Sequence, residues 1–137
     1  MEPMTTESVK RKLTAILSAD AVGFSRLMNN DEEATLKTLN AYRALMTKHI
    51  VQHRGRVVDK TGDNLLAEFT SAVDAVTGAV EIQRELAEHN AELHAERRML
   101  FRIGINVGDV IEEKHRPNDS SKFSEGVVEF ILAAVRS

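Results

Sequence analysis

Cysteine is absent from the 137-residue chain, which removes disulfides, thiolate metal sites and cysteine nucleophiles together and leaves no sign of an oxidising compartment. Tryptophan is absent as well. Five Phe and one Tyr are too few to build the aromatic, basic sheet face of a single-strand RNA binder. A net charge of −3 provides no broad basic footprint for nucleic acid or anionic lipid. No uninterrupted apolar run approaches the roughly 18 residues of a membrane span, and Met1 to Lys12 is polar and mixed in charge, with no stretch suited to a signal peptide. These absences lead us to expect a cytoplasmic chain with no nucleic-acid partner and no membrane partner.

What is present is ordinary globular composition, 42% hydrophobic and 28% charged, in a length that suits one domain. Residues 1–10 read as a polar leader, 11–112 as the core and 113–137 as a divergent loop followed by a helix. Leu13, Ala15, Ile16 and Leu17 form an apolar run too short for a helix and predict a buried strand ending near Asp20 and Gly23. Asn30-Asp31-Glu32-Glu33 offers a helix cap with acids in the first turn, and Leu36, Leu39, Met46 and Ile50 predict an amphipathic helix ending near Gly55. Arg56 to Phe69 reads as a hairpin turning through Thr61-Gly62-Asp63-Asn64.

Ser71 and Asp74 resemble a capping box opening a second helix, whose buried stripe is Ala72, Val76, Ala79, Ile82, Leu86 and Leu93 and which runs to about Glu96. Leu100 to Ile111 alternates as a strand pair or one bent strand, Glu112 to Lys122 reads as a loop, and Ser124 to Val135 as a helix. The order predicts an α+β fold: a ferredoxin-like antiparallel sheet with helices on one face, incomplete at its C-terminal end.

Two carboxylates stand out. Asp20 follows the first strand and precedes a short turn and a helix, where a carboxylate beside backbone amides suits a divalent cation with its chelated phosphates. Asp63 lies in the hairpin turn. Each alone is more often a turn former. In a ferredoxin-like sheet, however, the end of the first strand and the hairpin turn share an edge, so the pair would converge as two-metal phosphoryl chemistry requires. His49/His53 and His89/His94 have no third ligand in sight, and all five histidines read as surface or helix-end residues.

At these residues a family resemblance appears. Leu17-Ser18-Ala19-Asp20-Ala21-Val22-Gly23-Phe24-Ser25 resembles the first metal motif of the class III adenylyl and guanylyl cyclases. Gly55-Arg56-Val57-Val58 followed by Gly62-Asp63-Asn64-Leu65-Leu66-Ala67-Glu68-Phe69 resembles the second, and Arg102 to Val110 resembles the strand and glycine turn that follow. The resemblance implies that Asp20 and Asp63, with the Ala21 carbonyl, bind two Mg²⁺ or Mn²⁺ ions, and that the amides of Val22, Gly23, Phe24 and Ser25 hold the triphosphate. It implies attack of a ribose 3′-hydroxyl on the α-phosphorus, releasing pyrophosphate and giving a 3′,5′-cyclic nucleotide, in a head-to-tail homodimer or with a cyclase-like partner subunit. ATP is the favoured nucleoside triphosphate and GTP the alternative.

The chain departs from the family pattern at two places. Where adenylyl cyclases carry an adenine-reading lysine, three residues before the Gly of Gly62-Asp63, this sequence has Asp59; Lys60 follows, on the opposite side of a regular strand unless the register shifts. Asp59 and Lys60 are therefore both base-recognition candidates. The family's transition-state Asn and Arg have no match: Val128 falls where the Asn belongs and Leu132 where the Arg belongs, and Arg136 would need an inserted helical turn. Two expectations result, an active lyase serving intracellular signalling and a weak or inactive cyclase-like module that binds metal and nucleotide and dimerises.

Overall fold

A computed structural model describes residues 10–112 and 128–132 of the chain. Residues 1–9, 113–127 and 133–137 lie outside the described residues, and with them all of the expected loop from Glu112 to Lys122 except Glu112, which belongs to a strand. The first strand, β1 (Lys10–Ala21), is longer than its apolar run and starts inside the expected polar leader. Alternation is clean along its second half: Ala15, Leu17, Ala19 and Ala21 are buried, while Ile16, Ser18 and Asp20 are only partly covered on the other face. The small residues on the buried face leave room for helices to lie close.

Two helices follow, α1 (Phe24–Asn30) and α2 (Glu32–Gln52). The break between them is Asp31, in extended conformation, whose Oδ1 accepts from Ala34 N–H at 3.0 Å while Glu32 and Glu33 face the positive helix end. Leu39, Met46 and Ile50 are buried as expected, joined by Tyr42, Leu45 and His49, but Leu36 is exposed. A hairpin of β2 (Arg56–Asp59) and β3 (Asn64–Phe69) leads to α3 (Ala72–Ala91), where the Ser71 hydroxyl accepts from Asp74 N–H at 3.1 Å. The helix stops at Ala91, short of the expected Glu96, and a single 3₁₀ turn (Ala95–Arg97) precedes β4 (Phe101–Glu112).

The early stop has a local cause in Asn90. Its side-chain oxygen accepts from Tyr42 Oη at 2.7 Å and from Met99 N–H at 3.1 Å, and its amide donates to the Met99 carbonyl at 2.9 Å, so the returning chain is clamped beside the helix end. Nearby, Gln83 reaches the Phe101 carbonyl at 2.9 Å. These buried amides satisfy backbone groups at the entry to β4, at Met99 before the strand and at the carbonyl of its first residue, Phe101.

β4 is one continuous strand, paired antiparallel with β1 from Lys10↔Glu112 to Ala21↔Phe101. All pairings are antiparallel, in the order β2-β3-β1-β4-β5. The first four strands with α2 and α3 form the expected ferredoxin-like arrangement. The core lies between the buried sheet face and the helices, with Leu17, Phe69, Ile82, Phe101, Ile103 and Ile105 fully enclosed.

The expectation for the C-terminal segment is overturned. The helix anticipated over 124–135 is not formed where the chain is described: Val128–Leu132 is a strand, β5, paired with β4 from Val107↔Val128 to Ile103↔Leu132. The apolar positions there fit a helix and a strand equally well. The hydrogen-bonding groups along the outer edge of β4 select the strand.

His49, expected at the surface, is buried between α2 and α3, where its Nε2 donates to Glu85 Oε1 at 2.6 Å. This hydrogen bond, followed by the Lys48 ammonium at 3.2 Å, holds the Glu85 carboxyl below the usual glutamate range. Such a group binds protons more readily unfolded than folded. Its stabilising effect is therefore complete above the ordinary glutamate value of about 4.3 and is lost as pH falls through the lowered folded value. Urea midpoints should decline in that acid range, and less so in Glu85→Gln. Replacing Asn90 with Ala strands three buried polar groups and should cost about 2 kcal/mol or more in urea unfolding, at unchanged m-value.

Candidate functional site

The two aspartates meet where the sheet ladder ends. Asp20 pairs across β1 with Asn64 on one side and Arg102 on the other, and lies on the sheet face away from the helices. Because Asp20↔Asn64 is the last rung between β1 and β3, the next amide, Ala21 N–H, has no strand partner there. Asp63 supplies one: its Oδ2 accepts from Ala21 N–H at 2.9 Å. A backbone vacancy beside Asp20 is thus closed by the side chain of Asp63. The hairpin turn and the end of β1 therefore share one edge of the sheet, with Asp63 bonded to the residue that follows Asp20.

Arg102 is a site residue that the motif comparison did not single out. Its Nη2 donates to Asp20 Oδ2 at 2.9 Å, and its side chain is largely exposed. Alternation with Ile103 and Ile105 implies its outward face, but only the β1–β4 register reveals that it lies beside Asp20.

Beyond β1, Val22 N–H donates to the Leu100 carbonyl at 2.8 Å, and Gly23 turns the chain with φ 65°, a left-handed conformation that favours glycine. α1 starts at Phe24, so Val22, Gly23, Phe24 and Ser25 follow directly on Ala21 as a turn into a helix. Val22, Gly23 and Ser25 are exposed, and Phe24 packs against the core.

The hairpin carries the base-recognition candidates. Val57 pairs with Ala67 but Asp59 pairs with Leu66, so β2 has an additional residue, Val58, against β3. In an unbroken strand Asp59 would share the helix-side face with Val57. The bulge instead puts it opposite Leu66, on the sheet face that holds Asp20. Asp59 Oδ2 accepts from Thr61 Oγ1 at 2.9 Å, and Lys60 lies past the strand end, exposed. The register shift occurs upstream of both residues and delivers the acid rather than the lysine to that face.

Val128 and Leu132, at the positions of the unmatched transition-state Asn and Arg, belong to β5; Arg136 lies outside the described residues. No trio of His, Asp or Glu side chains suited to a metal occurs among the described residues. Any cation at Asp20 and Asp63 would complete its shell with backbone carbonyl and ligand oxygens. That all-oxygen donor set suits Mg²⁺ or Mn²⁺ bound together with a phosphate chain.

Comparison with known proteins bears on the fold and the family. No protein-family model matches the chain. The curated protein named "Putative adenylate cyclase 3" of Rhizobium meliloti (strain 1021) is 43% identical over 125 residues, which are 90% of this chain and 20% of that protein. The solved adenylate/guanylate cyclase/hydrolase of Silicibacter pomeroyi is 39% identical, with TM-score 0.68 over 77% of this chain and 62% of that one. The chain belongs with the class III nucleotidyl cyclase domains. A solved guanylyl cyclase, Cya2, is 28% identical, with TM-score 0.66 over 88% of this chain and 66% of that one. This cyclase domain spans about a fifth of the length of the Rhizobium relative.

Within the domain, the bond from Ala21 N–H to Asp63 should be measurable without any ligand. Asp63→Ala should lower unfolding stability by about 1–2 kcal/mol and speed exchange of the Ala21 amide, whereas Asp63→Asn, which retains an acceptor, should lose less. Urea unfolding with amide exchange checks both.

Proposed function

We propose that this domain converts a nucleoside triphosphate, ATP in preference to GTP, to the 3′,5′-cyclic nucleotide and pyrophosphate, as part of intracellular signalling. The observation that carries the reading is the closure of the Ala21 amide by Asp63, which brings two aspartates from separate motifs to one end of the sheet. Asp20, Asp63 and the Ala21 carbonyl would hold two Mg²⁺ or Mn²⁺ ions. Bound ions supply charge stabilisation for the transferring phosphoryl group and lower the pKa of the attacking hydroxyl.

The chain's own contribution is positional. The amides of Gly23, Phe24 and Ser25 at the turn into α1 would orient the triphosphate, with Val22, whose own N–H is taken by the Leu100 carbonyl, leading into the turn, and Gly23 lets the backbone turn there without steric cost. Asp59, carried onto the Asp20 face by the bulge, accepts hydrogen bonds from donors on the base edge, with Lys60 the second candidate beside it. ATP is favoured by the name of the Rhizobium relative, while an acid at Asp59 favours a guanine edge. A homodimer, or a cyclase-like partner subunit, would complete the site from the open sheet face.

A second reading rests on β5. Where the transition-state Asn and Arg belong, the chain has Val128 and Leu132 in a strand, so a catalytically weak or inactive metal- and nucleotide-binding module that dimerises fits that region better. Loss of a cation directed at developing phosphoryl charge costs roughly three to five decades in other phosphoryl-transfer enzymes.

Incubation with Mn²⁺ and ATP or GTP separates the readings. Cyclic product that disappears in both Asp20→Ala and Asp63→Ala supports the lyase. Absence of product together with Mn²⁺-dependent thermal stabilisation supports the binding module. Cyclic product unaffected by either substitution would overturn the assignment of the site.

A further inference from the structure

Arg43 lies on α2, outside every motif that carries the family resemblance, yet its guanidinium reaches the hairpin turn. Nη2 donates to the carbonyl of Gly62 and, at 3.0 Å, to the carbonyl of Asn64. These are the two residues flanking Asp63. The turn needs such a brace: Gly62 is left-handed at φ 60°, with no atom of the described residues within 4 Å of where a side chain would begin, and Thr61 and Asn64, on either side of Gly62-Asp63, are exposed. The turn's own closure is a hydrogen bond from Asn64 N–H to the Thr61 carbonyl at 2.8 Å.

We infer that Arg43 is the positioning residue for Asp63: by bridging the carbonyls on both sides, it fixes the turn so that the Asp63 carboxylate stays against Ala21 N–H beside Asp20. A single guanidinium nitrogen spanning two carbonyls restrains the turn in direction as well as in distance. The Arg43 Nε is buried without a hydrogen-bond partner among the described residues. A buried donor left unpaired costs free energy, and here the orientation that leaves it so is the one that serves the turn. Lysine at this position keeps the charge but lacks the planar fork, so it should hold the turn only in part. α2 is a long helix anchored in the core through Tyr42, Leu45 and Met46, which gives the brace a rigid base.

The metal consequence rests on the reading of Asp20 and Asp63 as the cation site, and the experiment separates that reading from the role of Arg43. Wild type, Asp63→Ala, Arg43→Lys and Arg43→Met are compared by free-Mn²⁺ electron paramagnetic resonance and by residue-resolved amide exchange. Arg43→Met should weaken Mn²⁺ binding on the order of tenfold, as loss of outer partners of metal ligands does, with Arg43→Lys in between. Exchange of the Ala21 amide should accelerate in both Arg43 variants, while Leu17 and Ile103 in the sheet centre keep wild-type protection.

Wild-type Mn²⁺ affinity in Arg43→Met, or unchanged Ala21 protection, overturns the inference. Protection lost equally across the sheet also overturns it, since that marks a global stability role. If wild type binds no Mn²⁺, the cation reading fails, and the Ala21 amide alone then decides whether Arg43 positions Asp63. Should Arg43→Met not fold, Arg43→Lys provides the same two readouts.

Discussion

The structure depends on β1, a central strand that must satisfy neighbours on both edges and burial on one face. Ala15, Leu17, Ala19 and Ala21 form the floor on which α2 and α3 lie, while β3 and β4 take up its hydrogen-bonding groups on either side. Removing either partner would leave a row of unpaired amides next to the core. At its C-terminal end the two ladders stop at different places. On the β4 side pairing continues through Val22 to Leu100, but on the β3 side it ends at Asp20. The Ala21 amide left over on that side is answered by Asp63.

That mismatch explains why the candidate site is where it is. A carboxylate recruited to finish a backbone ladder is held by the amide of Ala21, the residue after Asp20, and comes from a different element of the chain. Arg102 lies across the adjacent pair and balances part of the negative charge. Arg43 reaches from α2 to restrain the turn that delivers Asp63. The site is thus a meeting of a strand end, a hairpin turn and a helix, each held by hydrogen bonds to main-chain groups. Such sites are more tightly constrained than ones carried on loops alone.

Several features were legible without any structure. A short apolar run marked β1, alternation marked β4, the Ser71/Asp74 pair marked the start of α3, and the Asn30-Asp31-Glu32-Glu33 run marked the start of α2, where Asp31 is the cap. Asp20 and Asp63 were recognisable because glycine-turn motifs have local signatures. The end of α3 was overestimated, since Leu93 continues the apolar period and nothing local announces that Asn90 bonds to Met99. His49 was misplaced for a similar reason: its partner Glu85 is 36 residues away.

By itself, then, the sequence determined the kinds of element in the core, the ferredoxin-like order and the two aspartates, because short-range patterns of polarity and glycine encode them. Tertiary structure alone decided three other matters. The bulge at Val58 chose the face of Asp59, since register belongs to a pair of strands and not to either one. The open edge of β4 made Val128–Leu132 a strand where periodicity allowed a helix. Finally, Arg43 and Arg102 acquired their places beside the aspartates through contacts spanning 19 and 82 residues of sequence, respectively, distances over which local patterning carries no information.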